Sequence, residues 1–216
     1  MDPSPARTYD RIAGHFSKTR EYPWPEVESF LDGRSAERAL DVGCGNGRHT
    51  ELLADCATEA VGLDASRGLL TEATSRAAER DFAAAAAFVQ GDAATLPLAT
   101  DAFGLATYVA TIHHLPSREA RVRSLDELAR VLAADGVGLV SAWSTAHEKF
   151  DREEGFDTSV DWTLPGGETV PRYYHIYHPD ELRADVHDSD LHLSSLSISS
   201  GNCYATVQLT ADSSQQ

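Results

Sequence analysis

Lysine is nearly absent from this 216-residue sequence: Lys18 and Lys149 are the two lysines in a basic complement of 18, against 34 Asp and Glu, for a formal charge of -16. So little basic charge is the opposite of the footprint by which nucleic-acid binders neutralise phosphates at ordinary salt. The plain reading is a solvated acidic surface. Acidity with so little lysine also resembles proteins adapted to very high internal salt, where the Debye length shrinks to about 3 Å at 1 M and repulsion is screened; a polyanionic partner stays compatible with that setting. Cysteine is scarce as well. Cys44, Cys56 and Cys203 are odd in number and widely spaced, which argues against a disulfide framework or a CxxC zinc site and predicts three free thiols and no metal. Missing too is any apolar run near the roughly 20 residues that span a bilayer, and Met1-Asp2-Pro3-Ser4-Pro5 lacks the basic-then-apolar layout of a signal peptide. A cytoplasmic protein without membrane contact is expected. With 42% hydrophobic residues, the chain suffices for one domain over 1–216.

What is present alternates. Tyr9, Ile12, Ala13 and Phe16 recur at helical spacing and predict a helix over about 8–19; Pro25 opens a second that runs to Leu31. Short apolar runs at Arg38–Val42, Glu59–Leu63, within Ala84–Gln90, at Phe103–Ala110 and at Val137–Trp143 read as strands. Between them, helices are expected over Arg48–Cys56, over 67–80 behind a Ser66 cap, and over Ser117–Leu132. A helix from Pro179 to about Asp185 and strands near 191–199 and 203–210 close the chain. This rhythm predicts an α/β fold, a doubly wound, mostly parallel seven-stranded sheet with ligands beyond the carboxyl ends of its strands. Residues 1–33 form an N-terminal helical cap, and 145–178, rich in Gly, Pro, Asp, Glu and Tyr, reads as a lid or substrate loop.

The glycines narrow the ligand. A dinucleotide fingerprint needs G-x-G-x-x-G, and Gly43 and Gly45 would put its third glycine at position 48, which is Arg48. Instead the strand ends in Asp41-Val42-Gly43-Cys44-Gly45-Asn46-Gly47. Glycines at alternate positions let backbone approach a ligand, and the N–H groups and helix start that follow can receive a carboxylate. That suits the aminocarboxylate of S-adenosylmethionine (SAM), with Asp41 near its ammonium. Asp64, followed by Ala65, ends the next strand where it can accept both ribose hydroxyls, and Asp92, followed by Ala93, can accept the adenine amino group. An Asp at a strand end is often only a cap or turn former. Three in succession behind this loop point to a SAM site.

Further stretches carry a resemblance: Tyr9-Asp10-Arg11-Ile12-Ala13, His15-Phe16-Ser17-Lys18-Thr19-Arg20, Trp24-Pro25, Gly91-Asp92-Ala93, Ile112-His113-His114-Leu115, Glu127 to Leu132, Arg172-Tyr173-Tyr174-His175 and Gly201-Asn202. With the glycine loop they span most of the chain, which resembles the class I SAM-dependent methyltransferases (a Rossmann-like fold) and, within them, the wobble-uridine tRNA methyltransferases, including the methyltransferase domain of the AlkB-type tRNA homologue. The resemblance implies methyl transfer to the carboxylate of a 5-carboxymethyl-type uridine in the anticodon loop, giving a methyl ester. It also implies a small zinc-binding activating subunit. The third strand is expected at a sheet edge, where Phe88-Val89-Gln90 offers backbone for strand addition. Two departures stand out: Ala134-Asp135-Gly136 replaces the family's Pro-Gly-Gly, and Cys203 replaces an aromatic.

A carboxylate nucleophile has a pKa near 4, so it is ionised at neutral pH and needs an orienting cation rather than a base. Arg20 and Arg172 are the candidates, since a guanidinium can grip a carboxylate or a phosphate. His113 and His114 follow the fourth strand; for an amine or phenol one could be the base, for a carboxylate they would orient or stack. Trp24, Tyr173 and Tyr174 can stack on unpaired bases or simply close a core. Two other functions share this donor site: a small-molecule O- or N-methyltransferase, and a non-catalytic SAM-binding subunit.

Overall fold

The computed structural model describes residues 4–209. In chain order its helices are α1 (Pro5–Lys18), α2 (Pro25–Leu31), α3 (Arg48–Cys56), α4 (Arg67–Glu79), α5 (Arg118–Val131) and α6 (Pro179–His187). Its strands are β1 (Ala36–Val42), β2 (Ala57–Asp64), β3 (Ala86–Gln90), β4 (Phe103–Val109), β5 (Leu132–Trp143), β6 (Phe156–Thr163), β7 (Thr169–Ile176), β8 (Leu191–Ser199) and β9 (Asn202–Leu209). β1, β2 and β4 each bury at least four consecutive residues, as strands covered on both faces must. Ser66 caps α4 as expected, its hydroxyl accepting from Leu69 N–H, and Ser117, expected inside a helix, caps α5 by accepting from Ala120 N–H.

Seven strands form one sheet in the order β3-β2-β1-β4-β5-β9-β8, parallel from β3 to β5 and antiparallel at β9 and β8. The expected doubly wound α/β sheet is therefore present, with β3 at one edge. Two cores cover its faces. Leu125, Leu128, Leu182 and Val186 from α5 and α6 pack with Leu40, Val61 and Tyr108 on one side; Val27, Phe30 and Leu53 from α2 and α3 pack with Ala39, Leu105 and Leu139 on the other. Chain order reverses between β1 and β4, and the crevice at that switch point is where ligands bind in such sheets.

Several boundaries moved by two residues or more, β1 and β2 beginning at Ala36 and Ala57 among them. The first helix begins at Pro5, the fifth strand already at Leu132, and the last strand runs Asn202–Leu209, with residue 210 outside the described part. One expectation fails in kind. Much of the 145–178 segment is an antiparallel hairpin, β6 against β7, in register from Phe156↔Ile176 to Thr163↔Thr169. Its turn closes through Leu164 N–H to Glu168 O (2.8 Å) and Gly167 N–H to Leu164 O (3.0 Å), with Gly166 and Gly167 at φ of 103° and 89° that side chains disfavour. Among the described residues, no helix is long and apolar enough to cross a membrane and no cluster of metal-ligating groups occurs.

Candidate active site

A cleft of about 290 Å³ opens beyond the carboxyl ends of β1, β2 and β4, close to the lower end of small-molecule sites at roughly 300 Å³. Gly43, Cys44, Gly45, Asp64, Ala65, Asp92, Ala93 and His114 line it, joined by Tyr9 and Phe16 of α1 and by Arg48 and His49 of α3. Helix α1 thus roofs the cleft. It is pinned there by Asp10, whose carboxylate accepts from Ser66 Oγ (2.7 Å) and Gly68 N–H (2.8 Å) at the start of α4.

The three loop glycines all have positive φ, 72°, 56° and 78°, for different reasons. A Cβ on Gly43 would lie 2.1 Å from Thr111 Oγ1 and one on Gly47 3.2 Å from Ala73, so these two serve packing. At Gly45 the nearest neighbour of a Cβ is Phe16 Cε1 at 3.9 Å, and its bare backbone faces the cleft. The loop amides are more committed than the sequence suggests. Gly43 and Cys44 N–H donate to Leu63 O (2.7 and 2.9 Å), Gly45 N–H to Asp64 Oδ2 (2.9 Å) and Gly47 N–H to Cys44 O (2.9 Å). An incoming carboxylate is left with the start of α3 and nearby side chains.

Asp41 is 1% exposed and does not line the cleft; its oxygens accept from Thr50 Oγ1 (2.7 Å) and Thr107 Oγ1 (2.9 Å). It braces β1 to α3 and β4 from behind the loop, so the direct contact to a ligand ammonium expected of it is not prepared here and a water-bridged one stays open. Gly47 likewise sits behind. Asp64 does face the cleft, one oxygen on Gly45 N–H and the other on Ser66 N–H (2.8 Å), so each oxygen keeps a lone pair. Burial pushes its carboxyl up to about 6. Asp92 uses Oδ1 to accept from Ala94 N–H (2.8 Å), and lines the cleft near Ala93.

Of the seven residues expected to handle the acceptor, only His114 lines this cleft. The others gather beside it or brace it. His114 Nδ1 lies 2.9 Å from Tyr173 O, and a carbonyl can only accept, so Nδ1 carries the proton and Nε2 accepts from Tyr9 OH at 2.9 Å. Burial, aided by Arg172, pushes His114 down to about 4. With its lone pair engaged, it is a poor base. His113 is 2% exposed, its Nδ1 accepting from Trp143 N–H at 3.0 Å, which makes it a core brace between β5 and the turn after β4. Arg172 donates Nη1 to Tyr174 OH (2.7 Å) and more distantly to Tyr9 OH (3.4 Å), and lies over the Trp162 and Tyr174 rings at 4.9 and 5.2 Å. Arg20 covers the other arm of this cluster, 5.3 Å from the Phe16 centroid and 5.5 Å from that of Trp162. Tyr173 turns outward, its hydroxyl on Asp157 (2.8 Å). Trp24 packs against His49 and Tyr204.

A family profile described as "Methyltransferase domain" matches residues 40–140. A protein of Encephalitozoon cuniculi, provisionally named a methyltransferase, is 35% identical over 184 residues, which cover 82% of this chain and 81% of that protein. The chain belongs to the methyltransferase-domain family. It is also 36% identical over 143 residues to the tRNA (carboxymethyluridine(34)-5-O)-methyltransferase of Xenopus tropicalis, covering 66% of this chain but only 21% of that much longer protein. In fold it matches a chain from the solved complex between the Haloferax volcanii Trm112 methyltransferase activator and a protein provisionally named a methyltransferase, with a TM-score of 0.69 at 16% identity over 94% of this chain and 98% of the other.

Within this methyltransferase, several contributors were not singled out by sequence. Tyr9 joins His114 to Arg172, Trp162 is the ring shared by Arg20 and Arg172, and His15 Nδ1 accepts from Trp162 Nε1 (3.0 Å). The hairpin that carries Trp162 and Arg172 is held by His175, which bridges Asp157 and Glu181 at 2.7 Å each. Against its burial, those two carboxylates hold His175 above its ordinary range.

Proposed function

We propose that this methyltransferase uses SAM to methylate the carboxylate of a 5-carboxymethyl-type wobble uridine in tRNA, forming a methyl ester. The observation that carries the reading is Arg172. It is 8% exposed, no described carboxylate lies within 4.0 Å of it, and its Nε has no partner. A buried guanidinium without a counter-ion costs several kcal/mol, which a bound carboxylate would offset. The donor cleft fits SAM on its own chemistry: Asp64 keeps two lone pairs for ribose hydroxyls, Asp92 has an oxygen left for an amino group, and Gly45 presents bare backbone. When bound there, SAM supplies a methyl group on a sulfonium that leaves as a neutral thioether.

The chain's own part is positioning and exclusion of water. Arg172 holds and orients the acceptor carboxylate from beside the cleft, with Arg20 against the same Trp162 ring. Tyr9 and Phe16 close the roof. Because the lone pairs of His113 Nδ1 and His114 Nε2 are engaged, the site suits a nucleophile that arrives ionised and disfavours phenols and amines, which must lose a proton. The Xenopus tropicalis similarity supports a tRNA acceptor. An activating subunit of the kind in the Haloferax volcanii complex would add at the β3 edge, where Phe88, Val89 and Gln90 follow one another beside β2. The test is mass spectrometry of wobble nucleosides from cells with and without the protein. Loss of the methyl ester on deletion is expected; an unchanged wobble nucleoside contradicts the assignment.

A further inference from the structure

An acidic chain that acts on tRNA needs local positive charge somewhere. Half of the arginines sit on an acid, as Arg38 does on Glu59, Arg118 on Asp185 and Asp188, and Arg130 on Glu127. Two of the others lie together near the mouth of the cleft. Arg20 and Arg48 have no described carboxylate within 4.0 Å. The acids closest in the chain and fold are already neutralised, Glu51 by Arg76 and Arg80 and Glu21 by Arg80. Asp41 acts on Arg48 only through space, its own oxygens held by two threonine hydroxyls. Two guanidiniums therefore stand together with no carboxylate in ion-pair contact. Burial and the neighbouring Arg20 push Arg48 down to about 10, against the pull of Asp41.

The same place is aromatic and rigid. Arg48 lies 5.3 Å from the Trp24 ring centroid, and Arg20 lies over Phe16 and Trp162. Tyr22, two residues after Arg20, is 77% exposed, one of two large apolar side chains among the described residues left in solvent. Its segment is fixed by Asn46 Nδ2 to Arg20 O (3.0 Å), Arg76 Nη2 to Glu21 O (2.8 Å) and Arg48 Nη1 to Tyr22 O (3.4 Å), and stiffened by Pro23 and Pro25. An exposed ring on a fixed segment beside guanidiniums without carboxylate partners is the composition of a single-strand binding platform. Beside it, His49 is 5% exposed, lines the cleft and has Nε2 unpartnered.

The geometry points to a second subsite at the cleft mouth, in which Arg20 and Arg48 bind a backbone phosphate of single-stranded RNA and Tyr22 stacks on the base next to the reacting nucleotide. The inference rests on the RNA reading above and adds to it the place where the flanking nucleotide sits. It also accounts for how a chain of charge -16 engages a polyanion: by a small patch of guanidiniums without carboxylate partners rather than a basic surface.

The test is fluorescence anisotropy with an anticodon stem-loop RNA titrated across a range of KCl, alongside calorimetric titration of SAM. Arg34 is the control, since it also stacks on a ring, Phe30, without a carboxylate partner, but at the opposite end of β1. Arg48→Gln is expected to weaken RNA binding about tenfold at low salt and to reduce the slope of log affinity against log salt by about 0.7, the share of one phosphate on a single strand. Tyr22→Ala, at an exposed position that folding tolerates, should weaken binding about tenfold with the slope unchanged. Arg34→Gln should change neither, and SAM affinity should hold in Tyr22→Ala and Arg34→Gln. If wild type methylates tRNA while Arg48→Gln and Tyr22→Ala keep its affinity and slope, the subsite is overturned and the catalytic reading stands. Loss of SAM affinity in Arg48→Gln with RNA binding intact would assign Arg48 to the donor instead. A wild type that binds RNA with the expected slopes yet methylates none contradicts the catalytic reading alone.

Discussion

In the proposed reaction Arg172 serves the acceptor and Asp64 the donor, and each gives a separable outcome. Arg172→Lys keeps the charge but loses the fork and the stacking on Trp162 and Tyr174. Steady-state kinetics with tRNA should show kcat/KM reduced about 10- to 100-fold, the worth of a charge-assisted hydrogen bond, while calorimetry finds SAM affinity unchanged; a loss of SAM affinity would place Arg172 in the donor site. Asp64 titrates at about 6 in the free protein because it is buried. The ionised carboxylate is the form that accepts two hydroxyls, so donor affinity should be full above about pH 7 and fall by up to tenfold per unit below about pH 6. Asp64→Asn should bind SAM weakly with no such dependence. At this scale the sequence marked both Asp41 and Asp64 but could not separate their roles. Register does so: Asp41 is level with Gly62 of β2, which puts Asp64 two residues nearer the crevice. One acid ends inside the sheet, the other at its rim. The histidines were legible as a pair at the rim, yet only their hydrogen bonds show both lone pairs engaged.

Helix α1 is the element that joins the two halves of the site. Its successive turns send Asp10 to the start of α4, Tyr9 to His114, and His15 to Trp162 of the hairpin, with Arg11 paired to Glu168 at the hairpin turn. Asp10 acts as a helix cap supplied from another helix, so Asp10→Ala should cost about 1 kcal/mol, read as a lowered Tm by calorimetry, with a weaker donor site because the roof is loosened. An unchanged Tm would remove Asp10 from this role. The seven-stranded sheet, its β3 edge and all six helices were readable from apolar runs and caps. The hairpin was not, although Phe156, Thr158, Val160 and Trp162 alternate with Asp157, Ser159, Asp161 and Thr163 at a strand's period, followed by Pro165-Gly166-Gly167. Acidic and Gly-Pro content obscured that alternation, because β6 packs as a half-exposed hairpin rather than a buried strand. Trp162, and with it the ring that both arginines share, went unnoticed for that reason.

Across the whole molecule, charge and function are arranged on different surfaces. The 34 acids dominate the composition and hold half of the arginines in ion pairs, while Arg20, Arg48 and Arg172 collect around one cleft without carboxylate partners among the described residues. Composition alone argues against a nucleic-acid partner. The local arrangement of cations argues for one, and only the folded chain brings together residues as distant as Arg20 and Arg172 on one indole. The central claim is methyl transfer to a carboxylate at the wobble position. It is tested most directly by incubating the purified protein and its activating subunit with methyl-labelled SAM and tRNA bearing 5-carboxymethyluridine, then treating the labelled tRNA with mild alkali. The account predicts label on the wobble nucleoside that alkali releases as methanol, as an ester must; label that survives alkali, or no label at all, would contradict it.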